Sequence, residues 1–376
     1  MTDPRAPVVI AARRTPIGEA GGVLRHLGPD RLAAAVLSAA LRDCGLDEVT
    51  DVVLGNTMGP GGNPARVAAL DAGLGAEVPG MTVDRQCASG LSAITTAAAM
   101  IRAGIGDAYL AGGVESPSTA PWRAWRPRSA AEPPRFYSRA PFAPARFGDP
   151  DMGPAADLVA AEAGISRQRQ DAFAARSHAR AVEAQRRGRF DAELVEVGGV
   201  GTDERPRQRF TAERLARFRP AFTPEGTTTA ANSCGISDGA AVVLVTSEHH
   251  RRRLGLPGLR LVDQQASGVD PNRLGLGAAP AMRAVLRHHG RAPQVVEFNE
   301  AFAGQTLACL DAAGIDECTA GPDGGAIALG HPWGASGAVL VVRLFHRMLA
   351  DGARTGLAAI SSGGGLGVAT MWERAQ

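Results

Sequence analysis

The chain has 376 residues, with 40 Lys and Arg against 38 Asp and Glu, a formal net charge of +2. So balanced a charge does not imply nucleic-acid binding, and nucleic acid is left out of the expected partners. The length allows two or three packed units around a large core.

Hydrophobic residues make up 45 % of the chain but aromatics only 5 %, while Gly alone occurs 47 times. Small residues at that density favour α/β layers in which helices approach sheets closely. The five cysteines, Cys44, Cys87, Cys234, Cys309 and Cys318, form no CxxC pair and no metal-ligand spacing. Neither a disulfide framework nor a metal site is expected, and a reducing cytoplasm is the expected compartment. The first residues lack the apolar run of a secretory signal. No apolar stretch is long enough to span a membrane, so no membrane partner is expected.

The stretch "PVVIAARRTP" (7–16) predicts a strand ending at Pro16. "DRLAAAVLSAALRDCGL" (30–46) predicts a helix with Leu32, Val36, Leu37 and Leu41 on one face and Gly45 closing it. "VTDVVLGNTM" (49–58) predicts a strand. "NPARVAALDAGL" (63–74) predicts a helix with Asn63 as N-cap and Pro64 in the first turn. "GMTVDRQC" (80–87) predicts a strand running into the Ala-rich helix 88–104. "DAYLAGGVES" (107–116) predicts a buried strand. This alternation implies a mostly parallel sheet with helices on its faces.

Residues 118–150 break the pattern with prolines, arginines and aromatics, too long an excursion for an idle connection. Helical segments follow at 154–164 and 166–188, then an Arg-rich stretch, 203–219. "SDGAAVVLVTS" (237–247) returns to strand, and alternation resumes from Leu259. The chain also repeats itself weakly. "CASGLSAITTAAAMIRAGIGDAYLAGGVES" (87–116) can be laid over "GASGAVLVVRLFHRMLADGARTGLAAISSGGG" (334–365), each with x-Ala-Ser-Gly, helix, turn, strand and glycine-rich exit. Two related α/β halves are expected.

Three stretches could carry chemistry. Cys87 lies between a strand and a helix, where free N–H groups and the helix dipole favour a thiolate. The plain alternative is a small buried hydrophobe. His331, in "GGAIALGHPWGASG" (324–337), sits between Gly330 and Pro332 before a helix expected near Ala335. Most lone histidines are structural, but these neighbours place the ring in a crevice rather than on a helix face. The glycines lack the spacing of a nucleotide phosphate loop. Asn299 and Glu300, in "VVEFNEAFAG" (295–304), follow a strand. Asn299 reads either as a helix N-cap or as an amide that orients a water or a substrate oxygen.

Taken in order, "ARRTP", "NPAR", "CASGL", "AGGVES", "MGPAADLVA", "SRQRQDAFA", "RPAF", "SCGISDGAA", "NEAFA", "GGAIALGHPWGASG" and "GGGLG" resemble the thiolase family over nearly the whole chain. The resemblance implies a thiolase fold of class α/β, two similar halves in an α-β-α-β-α arrangement with an inserted loop domain. It divides the chain into 1–117 plus 233–257, a loop domain 118–232, and 258–376. It also implies an acyl-CoA acyltransferase, with coenzyme A as substrate, no permanently bound cofactor, and a homodimer or homotetramer.

By resemblance, Cys87 takes the acyl group and His331 activates it. His331 and a water held by Asn299 would bind the second substrate's thioester oxygen. Backbone N–H groups of Cys87 and Gly363 would form the other oxyanion hole. Arg207 matches a residue beside the CoA adenine, and Cys234 and Ile236 match positions along the pantetheine arm. Met152, Leu274, Ala301 and Phe302 would line that tunnel. Gathered arginines at 203–219 suit a CoA phosphate as well as a solvated face.

The sequence departs from the family at three places. Ser361 stands where a second catalytic cysteine is expected to remove an α-proton, and a hydroxyl is a far weaker acid than a thiol. Cys234 replaces a pantetheine-contacting serine. Residues 118–150 are unlike the usual acyl-pocket and tetramer-forming loop, and the segment near 197–203 is short. The leading expectation is Claisen condensation or CoA-dependent thiolysis through acyl-Cys87. The alternatives are acyl transfer to another acceptor and a non-catalytic CoA- or lipid-binding relative.

Overall fold

The structure is a computed structural model that describes residues 3–375. The first half opens with β1 (Pro7–Arg14), the short β2 (Gly18–Glu19), α1 (Pro29–Cys44), β3 (Asp51–Gly55), α2 (Pro64–Asp71), β4 (Gly80–Val83), α3 (Ser89–Arg102) and β5 (Ala108–Glu115). The excursion after it contains a small hairpin, β6 (Arg123–Trp125) and β7 (Arg135–Tyr137). Helices α4 (Met152–Glu162), α5 (Arg167–Arg186) and α6 (Ala212–Leu215) follow, then β8 (Ser237–Ser247) and α7 (Glu248–Leu254). The second half runs β9 (Leu259–Gly268), α8 (Ala278–His289), β10 (Val295–Phe298), α9 (Ala303–Ala313), α10 (Ala326–Leu329), α11 (Trp333–Asp351), β11 (Thr355–Ser362) and β12 (Leu366–Arg374).

One sheet takes the order β10-β11-β12-β9-β1-β8-β5-β3-β4, with β2 attached to β8. The expectation of a mostly parallel sheet is corrected. Only β3–β4, β3–β5 and β10–β11 are parallel. Strand β8 returns from the long excursion and pairs antiparallel with both β1 and β5. The two half-sheets meet through β1 and β9, whose register is confined to Val8↔Arg260 and Val9↔Leu259.

Layering follows from side-chain alternation. In β8, Ala241, Val243 and Val245 face the same core as α3 and α11, whereas Ala240, Val242 and Leu244 face the core of α1 and α2. In β11, Ala358 and Ile360 join the central core, and Leu357 and Ala359 join that of α8 and α9. Both faces of these strands are buried, so they read as unbroken apolar runs rather than as alternation. Helices α3 and α11 therefore form a middle layer between two half-sheets, with α1–α2 and α8–α9 outside.

Local expectations fare unevenly. Gly45 ends α1 in the left-handed conformation, φ 61°. Asn63 precedes α2 but does not cap it through its side chain. That side chain instead donates to Gly80 O at 2.7 Å and accepts from Thr82 Oγ1 at 2.7 Å, pinning β4. Strands β3 and β4 stop at Gly55 and Val83, earlier than the apolar runs imply.

The middle layer depends on glycine where α3, α11 and β5 cross. A Cβ on Gly113 would lie 2.0 Å from Gly334 O, a backbone atom that cannot swing away. Overpacking of this kind costs about 1–3 kcal/mol. Gly113→Ala is expected to lower unfolding free energy by at least that amount in urea titration. An unchanged midpoint would contradict the crossing described here.

Candidate active site

The turn before α3 carries Cys87. It is not the end of a strand, as the apolar run suggested, but a tight reversal. Gln86 adopts φ 50°, a left-handed conformation uncommon for a residue with a side chain. The strained residue is held by its neighbours. Gln86 N–H donates to Asp84 Oδ1 at 2.7 Å, and Ser89 Oγ donates to Gln86 O at 2.6 Å. Arg85 N–H donates to Ser89 Oγ at 2.8 Å. From the other half, Ser362 Oγ donates to Arg85 O at 2.7 Å, which fastens the glycine-rich loop to the Cys87 turn.

His331 lies between α10 and α11. Gly330 has φ 114°, and a Cβ there would meet Ser237 Oγ at 2.4 Å, so only glycine fits. The His331 N–H donates to Gly235 O at 3.1 Å and Ser237 Oγ at 3.2 Å, locking the backbone to the approach of β8. Its Nδ1 pairs with Ser336 Oγ at 2.6 Å, on the first turn of α11. Helix α11 begins at Trp333 rather than near Ala335. With Nδ1 engaged, Nε2 is the ring atom left for chemistry.

A cavity of about 560 Å³ gathers these groups. Cys87, His331, Ser361 and Gly363 line it, as do Cys234 and Ile236. Met152, Leu274, Ala301 and Phe302 line it too. Two expected site residues are not on its wall. Asn299 is buried behind it, and its Nδ2 has no partner among the described residues. It is not the cap of a helix, because α9 begins only at Ala303, with Phe302 at the N-cap position. Arg207 lies outside, pairing with Glu19 at 3.0 Å. Glu19 also pairs with Arg205 at 3.0 Å, and Arg205 reaches Ser233 O on the cavity wall at 3.4 Å.

Burial decides the charge states at rest. It pushes the Cys87 thiol up to about 12, against the backbone N–H groups of Gly363 and Cys87 that favour the thiolate. The N–H groups do favour the thiolate, as expected of a helix start, but burial is the larger effect and leaves a neutral thiol at rest. Burial also pushes His331 down to about 4. A neutral thiol faces a neutral imidazole, and no direct hydrogen bond joins them among the described residues. Catalytic contacts commonly tighten only when substrate is bound. Cys234 is likewise a neutral thiol, pushed up to about 12.

Ser361 is engaged rather than free. Its Oγ accepts the Ala278 N–H at the start of α8, 3.0 Å away, and lies 3.7 Å from Cys309 Sγ. Cys309 Sγ in turn donates to Gly275 O at 3.1 Å. Ser336 and Cys309 were not singled out from the sequence. Ser336 could have been, because it is the serine of the second x-Ala-Ser-Gly copy and stands in the first turn of the helix that follows His331. Among the described residues no three His, Cys, Asp or Glu side chains gather to hold a metal ion. None of the helices there is long and apolar enough to cross a membrane.

A thiol on a strained turn, an imidazole at a helix start and a glycine loop share one cavity between the two halves, an arrangement suited to nucleophilic acyl transfer. Residues 7–249 match the family profile "Thiolase, N-terminal domain" and residues 257–374 match "Thiolase, C-terminal domain". The chain belongs to the thiolase family. It is 41% identical over 379 residues to a Staphylococcus aureus (strain MRSA252) protein named "Putative acetyl-CoA C-acetyltransferase VraB", covering 98% of this chain and 99% of that one. It is 43% identical over 373 residues to YhfS of Bacillus subtilis (strain 168), which bears the same activity in its name, covering 97% and 98%. The solved Bacillus anthracis acetyl-CoA acetyltransferase superposes with a TM-score of 0.91 at 36% identity, covering 98% of this chain and 99% of that structure.

The sign of the His331 shift gives a pH dependence. Its folded value, about 4, lies below the ordinary 6.5, so only the unfolded chain binds a proton between them. The stability due to neutral His331 is complete above pH 6.5 and is lost as pH falls toward 4. His178, pushed down to about 4 by burial, Arg205 and Arg207, acts in the same direction. Denaturant titrations from pH 7 to 4.5 should show stability falling, with a shallower slope in His331→Gln. An equal slope in the variant would place the proton uptake elsewhere.

Proposed function

We propose that the protein transfers acyl groups of acyl-CoA through Cys87, condensing two acyl-CoAs or cleaving a 3-oxoacyl-CoA with CoA. The observation that carries this reading is the sulfur itself. It lies on the wall of a largely apolar cavity that His331 and Gly363 also line, and the backbone N–H groups of Gly363 and Cys87 favour negative charge there.

In the first half-reaction Cys87 Sγ adds to the thioester carbonyl while His331 Nε2 takes the thiol proton. The carbonyl oxygen gains negative charge and is met by the N–H groups of Gly363 and Cys87. Collapse breaks the C–S bond to CoA. The CoA sulfur takes the proton from His331 and leaves as a thiol, and acyl-Cys87 remains. In the second, a base at the Ser361 position takes a proton from the α-carbon of another acyl-CoA, the carbanion attacks the acyl-Cys87 carbonyl, and collapse breaks the acyl–Sγ bond while that proton is passed on to the leaving Cys87 thiolate. A 3-oxoacyl-CoA forms. Ser336 suits both roles of His331. Its hydroxyl can donate to Nδ1, leaving an Nε2–H to hold an oxygen, or accept from Nδ1–H, leaving Nε2 a base. The unpartnered Asn299 Nδ2 would hold a water at the second oxygen. Pantetheine would pass Cys234, Ile236, Met152, Leu274, Ala301 and Phe302. Arg207 would serve the adenine end through the Glu19–Arg205 bridge.

The carbon–carbon step has a weak point, and it favours a second reading. A lone pair of Ser361 Oγ is already committed to Ala278 N–H. A neutral hydroxyl so placed is a poor base, so transfer to an acceptor other than carbon is the alternative. For assembly, a homodimer or homotetramer through the free edge of β4 is the reading we favour.

Acetyl-CoA is expected to add about 42 Da to Cys87, seen by peptide mass spectrometry, and Cys87→Ala should abolish the adduct. Absence of any adduct from the wild-type chain would rule out the acyl-enzyme reading and leave a CoA-binding role. Restoring the second thiol with Ser361→Cys should raise acetoacetyl-CoA thiolysis, by roughly 10²-fold if general acid–base catalysis is what is missing. If Ser361→Cys changes little while the wild type is already fast, the serine is not the limiting feature.

A further inference from the structure

The mechanism makes no use of residues 138–151, yet they reach the oxyanion site. Phe142 lines the cavity. A Cβ on Gly363 would lie 2.9 Å from ring atoms Cδ2 and Cε2 of Phe142. A Cβ on Gly364 would lie 3.0 Å from Phe142 O. The ring therefore rests on Gly363, which lines the same cavity as Cys87 and whose N–H favours negative charge on its sulfur. An acyl group on Cys87, with its oxygen on Gly363 N–H, is held within reach of this ring.

The ring is also fastened. Phe142 N–H donates to Asp149 Oδ1 at 3.1 Å. Arg139 stacks over the ring, 4.8 Å from its centroid. Arg139 is itself clasped, with Nη1 3.0 Å from both Asp149 carboxylate oxygens, Nη2 donating to Asp149 O at 2.8 Å and Nε donating to Asp151 Oδ1 at 2.9 Å. A loose aromatic side chain could swing aside for a longer substrate. One held by a backbone hydrogen bond and sandwiched under a doubly paired guanidinium has few other places to go.

We infer that Phe142 is a specificity-determining residue: its ring closes the acyl end of the cavity and restricts the protein to acetyl and other short, straight acyl groups. The Arg139–Asp149–Asp151 clasp keeps it closed. This rests on the acyl-Cys87 reading above. It also gives the irregular excursion a task, because the loop carries the substrate gauge while the two α/β halves carry the chemistry. Discrimination by a wall of this kind is typically about 10–200-fold per excess methylene that cannot be housed.

The experiment compares acylation of Cys87 by acetyl-CoA and octanoyl-CoA in the full-length wild type, Phe142→Ala, Phe142→Leu and Asp149→Asn. Initial rates are read by intact-protein mass. The wild type should favour acetyl. Phe142→Ala should raise the octanoyl-to-acetyl rate ratio at least tenfold, Phe142→Leu less, and Asp149→Asn in the same direction by loosening the clasp. Phe142→Leu keeps an apolar filler and supplies the answer should the alanine variant fold poorly. A ratio unchanged in both Phe142 variants, or a wild type that takes octanoyl as readily as acetyl, overturns this inference and leaves the acyl-enzyme intact. No adduct from either thioester in the wild type overturns both.

Discussion

The site exists because two helix starts can touch backbone to backbone. Gly90 and Gly337 are the glycines of the two x-Ala-Ser-Gly copies, and each faces the other copy's helix. A Cβ on Gly90 would lie 2.7 Å from Gly334 O, and one on Gly337 would lie 2.5 Å from Leu91 N. Side chains at these positions would push α3 and α11 apart, and with them the Cys87 turn and His331. The repeat seen in the sequence is thus more than a trace of shared architecture. Its two copies form the contact that brings Cys87 from one half and His331 from the other to one cavity.

That contact explains why neither half holds a complete site. The N-terminal half supplies the strained Gln86–Cys87 turn. The C-terminal half supplies His331, the Gly363 N–H, and Ser362, whose hydroxyl ties the loop to Arg85 O. Glu115, fully buried at the end of β5, reinforces the joint. Its carboxylate accepts Gly334 N–H at 3.0 Å from α11 and Met58 N–H at 2.9 Å from the loop after β3. A charge so deeply buried persists only with several hydrogen-bond donors, and here the donors come from both halves. Polar satisfaction and the mutual position of the catalytic groups are the same arrangement.

Much of this was legible in the sequence where the signal is local and periodic. The span of α1, its glycine stop, the whole of β8, and the Cys87 and His331 stretches needed only short-range rules. What escaped depends on contacts distant in the chain. The apolar run 80–87 gave no hint that Gln86 turns left-handed, since the hydrogen bonds that hold it belong to Asp84 and Ser89 side chains. The direction of β8 could not be read because a long excursion permits either orientation. Asn299 looked like a cap because Asn commonly is one. The helix starts later because Ala301 N–H turns back to Asn299 O and Phe302 is extended, with Ala303 N–H donating to Asn232 O from across the fold. Phe142 was invisible among the prolines and arginines around it, because nothing nearby in sequence marks Gly363 as its seat.

The electrostatics of the resting site follow from the same close packing. Burial moves a thiol and an imidazole in opposite directions, and each ends up uncharged. A fold with two such groups at its centre avoids the cost of desolvating an ion pair at rest. The N–H groups at Gly363 and Cys87 are already aimed and need no rearrangement when charge forms on a substrate oxygen. At rest those N–H groups favour the thiolate, and burial outweighs them. On the proposed reading, charge would form only once a thioester occupies the cavity, as the thiol proton passes to His331 and the thioester oxygen meets the backbone donors. Imidazolium and oxyanion would then appear together, each stabilising the other. Ser361 does not share this logic. Its hydroxyl is already satisfied by a helix-start N–H, which lowers the energy of the resting protein and leaves little to gain at the moment a carbon-bound proton must move.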